Sequence, residues 1–374
     1  MVIAINARVL NERFGGPLRY TLNIIRELAR IDTENSYILF LRDDYKFDFE
    51  LPPNFKKVIF RTGNRVLFDY YHIPLYSWRN RIDALLFPKN TFSPMVRGKK
   101  VPVFHDIIYF EKEIKFREFK FFDNLHHYLM IPVASRFSSL NITVSDFTAS
   151  RMQELLGIKR EDIRVIREGV EPYFCCTGND GICDEVKQKF GLSAHFFLFV
   201  GSLSPRKNLQ RILEAFNRIK DDVVHDLYFT ASSSWRDTDS LALISRYGLG
   251  ERVKKLGFLE ERELVAIYNM ADCYLYPSLY EGFGLPIIEA QACGCPVITS
   301  NCASCPEVAG EGALLVDPYD VDDIAEKMLM VVTDQKLREK LVDSGMKNCK
   351  KYSWDKTAEG VLNVFHEISS EQEN

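Results

Sequence analysis

The sequence contains no apolar run approaching the roughly 18 residues that a membrane-spanning helix needs, so no such helix is expected. It also lacks the outline of an export signal, because in "MVIAINARVL" Arg8 arrives before an apolar stretch can form. No tandem repeat and no low-complexity tract is present. There is no excess of basic charge either: at a net charge of −4 and a pI near 6.1, nucleic acid is not expected as a partner. The nine cysteines are odd in number and irregularly spaced, so they suggest no disulfide framework. Reduced thiols and a cytoplasmic location are the expectation.

What is present points to two α/β domains. A length of 374 residues suggests two domains, and 46% hydrophobic residues suffice for two cores. In the first half, "VIAINA", "SYILFL", "KVIF", "ALLFP", "VPVFHD", "SLNITVS" and "IRVIREGV" read as buried strands with helical stretches between them. In one such stretch Leu18, Leu22, Ile25 and Leu28 recur at helical spacing. Residues Glu171–Leu192, rich in Gly, Cys and polar side chains, read as a linker with a hinge near Pro172–Phe190. The alternation then restarts with "FFLFVGS", "DLYFTA", "RVKKLG", "CYLYPS", "CPVITS" and "ALLVD". Strands separated by helices imply parallel sheets, so the expected fold is α/β with two doubly wound domains, 1–172 and 190–350, facing a cleft. Ligands of such sheets sit beyond the carboxyl ends of the strands.

One loop stands at such a place. In "YPSLYEGFGLPIIEAQACGCPVITS", Gly282 and Gly284 lie between an apolar run and a helix, with Glu281 and Glu289 on either side. A dinucleotide fingerprint needs a third glycine where Ile287 stands, so NAD binding is disfavoured. Pro286 suits a first helical turn, and the amides of Phe283, Gly284 and Leu285 would then face an anion or hydroxyls. Glu281 is expected in the loop and Glu289 in the first turn of the helix. By spacing alone, a helix-dipole partner or a solvated loop acid explains them equally well.

The surrounding string decides between these readings. "YPSLYEGFGLPIIEAQACGCPVITSN", with "FGGPLRYTLNIIRELAR", "VFHDIIYF", "TVSDFTASRMQELLGI", "VIREGVE", "FVGSLSPRKNLQRILEAF" and "ERVKKLGFLEERELVAIYNMADCYLYPS" in the same order, closely resembles the retaining GT-B glycosyltransferases of family four. The resemblance covers nearly the whole chain. It implies two Rossmann-like domains with the active site between them and a C-terminal helix, about 354–374, crossing back to the first. It implies sugar transfer from a nucleotide diphosphate sugar to an acceptor hydroxyl, with retention. Arg206 and Lys207 would then meet the diphosphate, and Glu281 the sugar hydroxyls. Glu289 would accept from the ribose, and Gly257, Phe258 and Leu259 would lie against the base. The amides of Gly282–Leu285 would complete the sugar contacts. Gly15 and Gly16 would approach the diphosphate, and His105 the donor sugar. Many relatives carry arginine where this chain has Ser202, so Arg206 or Lys207 must supply that charge. A front-side displacement fits these roles, with the leaving phosphate taking the acceptor's proton. An inverting enzyme would need a protein base, for which His105 is the candidate.

Other signals carry less. "DTD" (Asp237–Asp239) and "DVDD" (Asp320–Asp323) read as helix caps, and no obligatory metal is expected. Cys293, Cys295, Cys302 and Cys305 have a superficially zinc-like spacing but read as small buried residues. Leu51–Lys120 carries 14 Lys/Arg against 6 Asp/Glu, leaving −12 for the rest of the chain. Its tract "YFEKEIKFREFKFF", with Lys112, Lys115, Arg117 and Lys120, is either a solvated basic helix face or a contact with anionic membrane. The expected function is a cytoplasmic hexosyltransferase, peripheral to the membrane in that second case. GDP-mannose is its first donor, with UDP- or dTDP-sugars open, and a glycan or polyprenyl-linked glycan its acceptor. The alternatives are a nucleotide-sugar epimerase or a non-catalytic binding subunit.

Overall fold

The computed structural model describes residues 1–12, 15–111, 121–177, 181–230 and 238–370. The chain divides into two compact units, Met1–Gly169 with Ser353–Asn374, and Val170–Tyr352.

The first unit holds a seven-stranded sheet of β1 (Val2–Asn6), β2 (Ser36–Leu41), β3 (Phe55–Ile59), β4 (Ala84–Phe87), β5 (Lys99–Phe104), β6 (Asn141–Thr143) and β7 (Ile163–Val165). All pairings are parallel, in the order β3-β2-β1-β4-β5-β6-β7. A parallel sheet is covered on both faces, which is why these strands read as unbroken apolar runs. Ala4, Phe40, Leu85 and Phe104 pack there with Phe68, Ile131 and Met152 from the helices. The helix Trp354–Ser370 packs on the helix Gly16–Ile31. It buries Trp354, Ala358, Val361, Phe365 and Ile368, one stripe at helical spacing. Arg164 pairs with Glu367, and Thr357 Oγ1 donates to the Arg167 carbonyl at 2.8 Å. Where the two chain segments meet, a Cβ at Gly169 would fall 2.3 Å from the Trp354 nitrogen, so only glycine fits.

The second unit holds β8 (Phe196–Phe199), β9 (Asp226–Thr230), β10 (Val253–Gly257), β11 (Cys273–Tyr276), β12 (Val297–Ser300) and β13 (Ala313–Val316). The order is β10-β9-β8-β11-β12-β13, again parallel throughout. Its best-patterned helix, Leu209–Ile219, buries Leu209, Ile212, Leu213, Phe216 and Ile219 against Phe197, Phe229 and Leu275. Each such side chain contributes about 1.5–3 kcal/mol.

The expected linker is only partly one. Residues Ile182–Phe190 form a helix that packs on the helix Glu261–Met270, with Val186 buried. Lys189 pairs with Glu263, and the Thr177 amide donates to Asn269 Oδ1 at 2.8 Å. Ile182, Val186 and Phe190 repeat every four residues, a signal hidden among glycines and acids. Of the flagged tracts, Lys112, Lys115, Arg117, Lys120 and the side chains of "DTD" lie outside the described residues. Asp320 does cap a helix, accepting from the amides of Asp322 and Asp323 at 2.8 and 3.2 Å. Among the described residues, no helix is long and apolar enough to cross a membrane.

Candidate active site

In the second unit the strand order reverses between β8 and β11. In a doubly wound sheet, the carboxyl rim at such a reversal is the usual ligand site. The loop after β8 ends in a short turn, Pro205–Lys207. Asn208 follows with φ 65°, a left-handed position that asparagine tolerates better than most residues. Its Nδ2 donates to the carbonyls of Pro277 and Pro318 at 2.9 and 2.7 Å, and the Leu279 amide donates to the Arg206 carbonyl at 2.7 Å. The two loops are thus bound to each other.

This backbone brings three predicted residues together. Lys207 Nζ donates to Glu281 Oε1 at 2.6 Å, and Arg206 Nη1 to Glu281 Oε2 at 2.9 Å. Arg206 also donates to the Tyr280 carbonyl at 3.1 Å. Lys207 Nζ lies 2.5 Å from the Tyr276 hydroxyl and 4.6 Å from its ring centre. Ser304 Oγ lies 2.8 Å from the Phe283 carbonyl and 3.0 Å from the Glu281 carbonyl, so its one O–H holds the turn from behind through either acceptor.

Glu281 is only 6% exposed and Lys207 8%. Burial opposes charge on Glu281, but Arg206 and Lys207 outweigh it and hold the carboxyl at about 2. Burial pulls Lys207 below its ordinary value, and Glu281 works against that pull. Burial first, then Glu281, raises the Tyr276 phenol. Two cations around one anion leave a local positive excess. An ionised Glu281 accepts hydrogen bonds and has no proton to give, which excludes it as a general acid.

The glycine turn continues from this trio. Gly284 (φ 108°) precedes the helix Leu285–Ala292, and Pro286 occupies its first turn. Gly282, Phe283 and Gly284 thus form the turn between Glu281 and the helix that Leu285 begins. Glu289 departs from expectation: it is the fifth residue of that helix, one turn deeper than predicted, and is 1% exposed. It neighbours Tyr274, whose phenol burial and Glu289 together raise. Ser202 is half-buried in the loop after β8. Gly257 (φ 80°) ends the edge strand β10, two places from β8 on the same rim, and Phe258 beside it is 66% exposed.

In the first unit, Gly15 (φ 134°) precedes the helix that starts at Gly16. His105 follows β5, and its ring is held on three sides. Nδ1 faces Glu168 Oε1 at 2.9 Å, Nε2 faces the Pro88 carbonyl at 3.0 Å, and Tyr20 stands edge-on at 5.0 Å. Both ring nitrogens therefore face acceptors, so neither lone pair is presented as a base.

Sequence reasoning missed Tyr276, Asn208, Ser304 and Glu168. Glu168 lies inside the quoted motif "VIREGVE" and is 4% exposed, a buried acid that has to have a partner. Asn208 follows two cations at a turn, a local pattern that marks a loop-bracing polar residue. Nothing local marks Tyr276 or Ser304, whose roles depend on strand order. Among the described residues, Cys293, Cys295, Cys302 and Cys305 do not converge as a metal site. Cys293, Cys295 and Cys305 are buried, and burial pushes the Cys305 thiol up to about 12.

Residues 184–348, most of the second unit, match the family described as glycosyl transferases group 1. The O-antigen chain mannosyltransferase B of Escherichia coli is 28% identical over 372 residues, covering 93% of this chain and 94% of its own. Among solved structures, a sucrose-phosphate synthase from Thermosynechococcus elongatus superimposes with a TM-score of 0.78 at 17% identity, covering 99% of both chains. The Anabaena protein HepE, solved with UDP and glucose, gives 0.76 at 16% identity, covering 98% and 99%. The α/β GT-B fold expected from the motifs is borne out by these likenesses and by the two doubly wound sheets.

Proposed function

We infer that this chain, which belongs to the group 1 glycosyl transferases, moves a hexose from a nucleotide diphosphate sugar to a hydroxyl of a glycan or lipid-linked glycan, with retention at the anomeric carbon. The observation that carries this reading is the Arg206–Lys207–Glu281 trio at the strand reversal of the second unit. One ligand carrying a diphosphate beside a sugar matches a site with two cations beside one acceptor.

The chemistry follows from the charges. When the bond from C1 to the phosphate oxygen breaks, negative charge grows on the diphosphate, and Lys207 and Arg206 lower its energy. Lys207 has three N–H groups, of which Tyr276 and Glu281 engage two, leaving one for a phosphate oxygen. Glu281 accepts from sugar hydroxyls. The acceptor oxygen bonds to C1 on the face the phosphate leaves, and its proton passes to the phosphate. Glu289 is assigned to the ribose and Gly257–Leu259 to the base.

Mannose is the first sugar, and GDP-mannose the first donor, because a relative matching over 93% of the chain is a mannosyltransferase. That relative's O-antigen role supports a surface glycan such as lipopolysaccharide as the product. A panel of GDP-, UDP- and dTDP-sugars read by thermal shift tests the donor. At hundredfold excess over Kd the preferred donor adds about 2.7 kcal/mol, which raises Tm by about 3–7 °C according to whether the whole chain or the second unit alone unfolds. No shift with any nucleotide would overturn the reading, and release of a free sugar epimer without acceptor would favour the epimerase alternative.

A peripheral membrane contact is supported by one surface. Phe122, Leu125 and Leu129 on the helix Phe121–Phe137 are 80%, 43% and 56% exposed, beside Val66 and Leu67 at 52% and 48%. The Arg65–Asp123 pair joins the two segments. Co-sedimentation with anionic vesicles, weakened in Phe122→Ser/Leu125→Ser, checks this contact. Equal binding by wild type and variant would remove it.

A further inference from the structure

At the opposite rim of the second sheet, we propose a binding site for one borderline divalent transition ion of the zinc and cobalt class, held by His195, His225 and Asp272. It is independent of the donor site and of the function assigned above. His195 precedes β8, His225 precedes β9 and Asp272 precedes β11. These three strands are consecutive neighbours, so parallel register alone brings their first residues to one edge.

The spacing suits an ion. His195 Nδ1 lies 3.1 Å and His225 Nε2 3.4 Å from the same oxygen, Asp272 Oδ2. A tetrahedral ion with bonds of about 2.0–2.1 Å sets its ligand atoms about 3.3–3.4 Å apart. All three ligand atoms lie within 4.8 Å of one another. Small rotations of the exposed His195 ring would close the remaining edge. Two imidazoles and one carboxylate oxygen form a donor set that favours zinc, cobalt or nickel over magnesium or calcium.

The surroundings hold the ligands in place. The Phe196 amide donates to Asp272 Oδ2 at 3.1 Å and Arg338 Nη1 lies 3.4 Å from Oδ1, so both oxygens of the carboxylate are held in place, with Oδ2 the one that both imidazoles face. His225 is buried, and its Nδ1 has no partner among the described residues, whereas Nε2 faces the cluster. His195 is 55% exposed at its side chain and gives an ion a route from solvent. A bound ion would tie together the starts of three strands.

The test is titration of the untagged chain with Co2+ alone, followed by absorption, and with Zn2+ followed by calorimetry. One Co2+ per chain, with visible ligand-field bands and no strong near-ultraviolet thiolate absorption, is expected. His195→Ala, an exposed position where folding should survive, is expected to weaken binding by at least the ~10–100-fold that even outer partners cost. His225→Ala should do the same, and Zn2+ should raise Tm in the wild type only. Binding weaker than about 1 mM, binding unchanged in His195→Ala, or a thiolate signature that disappears in Cys175→Ser/Cys176→Ser would each overturn the proposal.

Discussion

Replacing Lys207 with methionine keeps the length of the side chain and removes its charge. The structure sets the size of the effect. Glu281 is held at about 2 against an ordinary 4.5, a gap worth about 3 kcal/mol in favour of its charged form. Arg206 and Lys207 share that work against burial. Without Lys207 the buried carboxylate keeps Arg206 as its one cation in the trio, so folding stability should fall by about 2–4 kcal/mol, near the cost of removing one partner of a buried pair. Donor affinity should fall with it. One charge-assisted hydrogen bond to a phosphate, about 1.5–3 kcal/mol, corresponds to about 10–150-fold. Turnover should fall at least as far, because the lost contact is strongest once charge has built up on the leaving group. Urea unfolding, calorimetric donor binding and sugar-transfer rates read the three quantities. In Lys207→Met/Glu281→Gln the stranded charge is gone, so stability should recover by at least about 1 kcal/mol relative to additivity while transfer stays lost. A Lys207→Met protein with wild-type stability and wild-type transfer would refute the reasoning, because the trio would then be neither structural nor catalytic.

The remaining predictions are independent of the donor's identity. Glu281 has a lowered value in the folded state, so its contribution is complete above pH 4.5 and disappears as pH falls toward about 2. Urea midpoints should show wild type losing about 3 kcal/mol more than Glu281→Gln between about pH 5 and pH 2. Gly284→Ala should lose about 1–3 kcal/mol by thermal unfolding, because φ is 108° and the new Cβ would lie 3.1 Å from Ile287 Cδ1. The displaced turn should also lower transfer. His105→Ala should cost about 1–3 kcal/mol by leaving the buried Glu168 without its donor. Glu168→Gln in that background should recover part of the loss.

Much of the fold was legible because parallel strands buried on both faces leave continuous apolar runs. Among the described residues, each of the thirteen strands coincides with or overlaps one of those runs, with ends differing by a few residues. The helix Ile182–Phe190 was not legible, because Gly181, Cys183 and the acids around it carry the composition of a loop. Glu289 was placed a turn too early because Pro286 marks the start of a helix but not how far along it a later residue faces inward. The trio was legible as separate motifs, "PRK" and "YEGFG", since each keeps its local pattern. That the two meet was not, because 74 residues separate Lys207 from Glu281 and only the adjacency of β8 and β11 closes that distance. Tyr276 and Ser304 escaped notice for the same reason. The cluster of His195, His225 and Asp272 has no sequence signature at all, since each residue merely precedes a strand.

The most direct measurement is a crystal structure of the chain with an intact nucleotide sugar bound. The account predicts a phosphate oxygen about 2.7–3.0 Å from Lys207 Nζ and a sugar hydroxyl donating to Glu281. A diphosphate bound elsewhere, with the Lys207–Glu281 pair untouched by ligand, would contradict it.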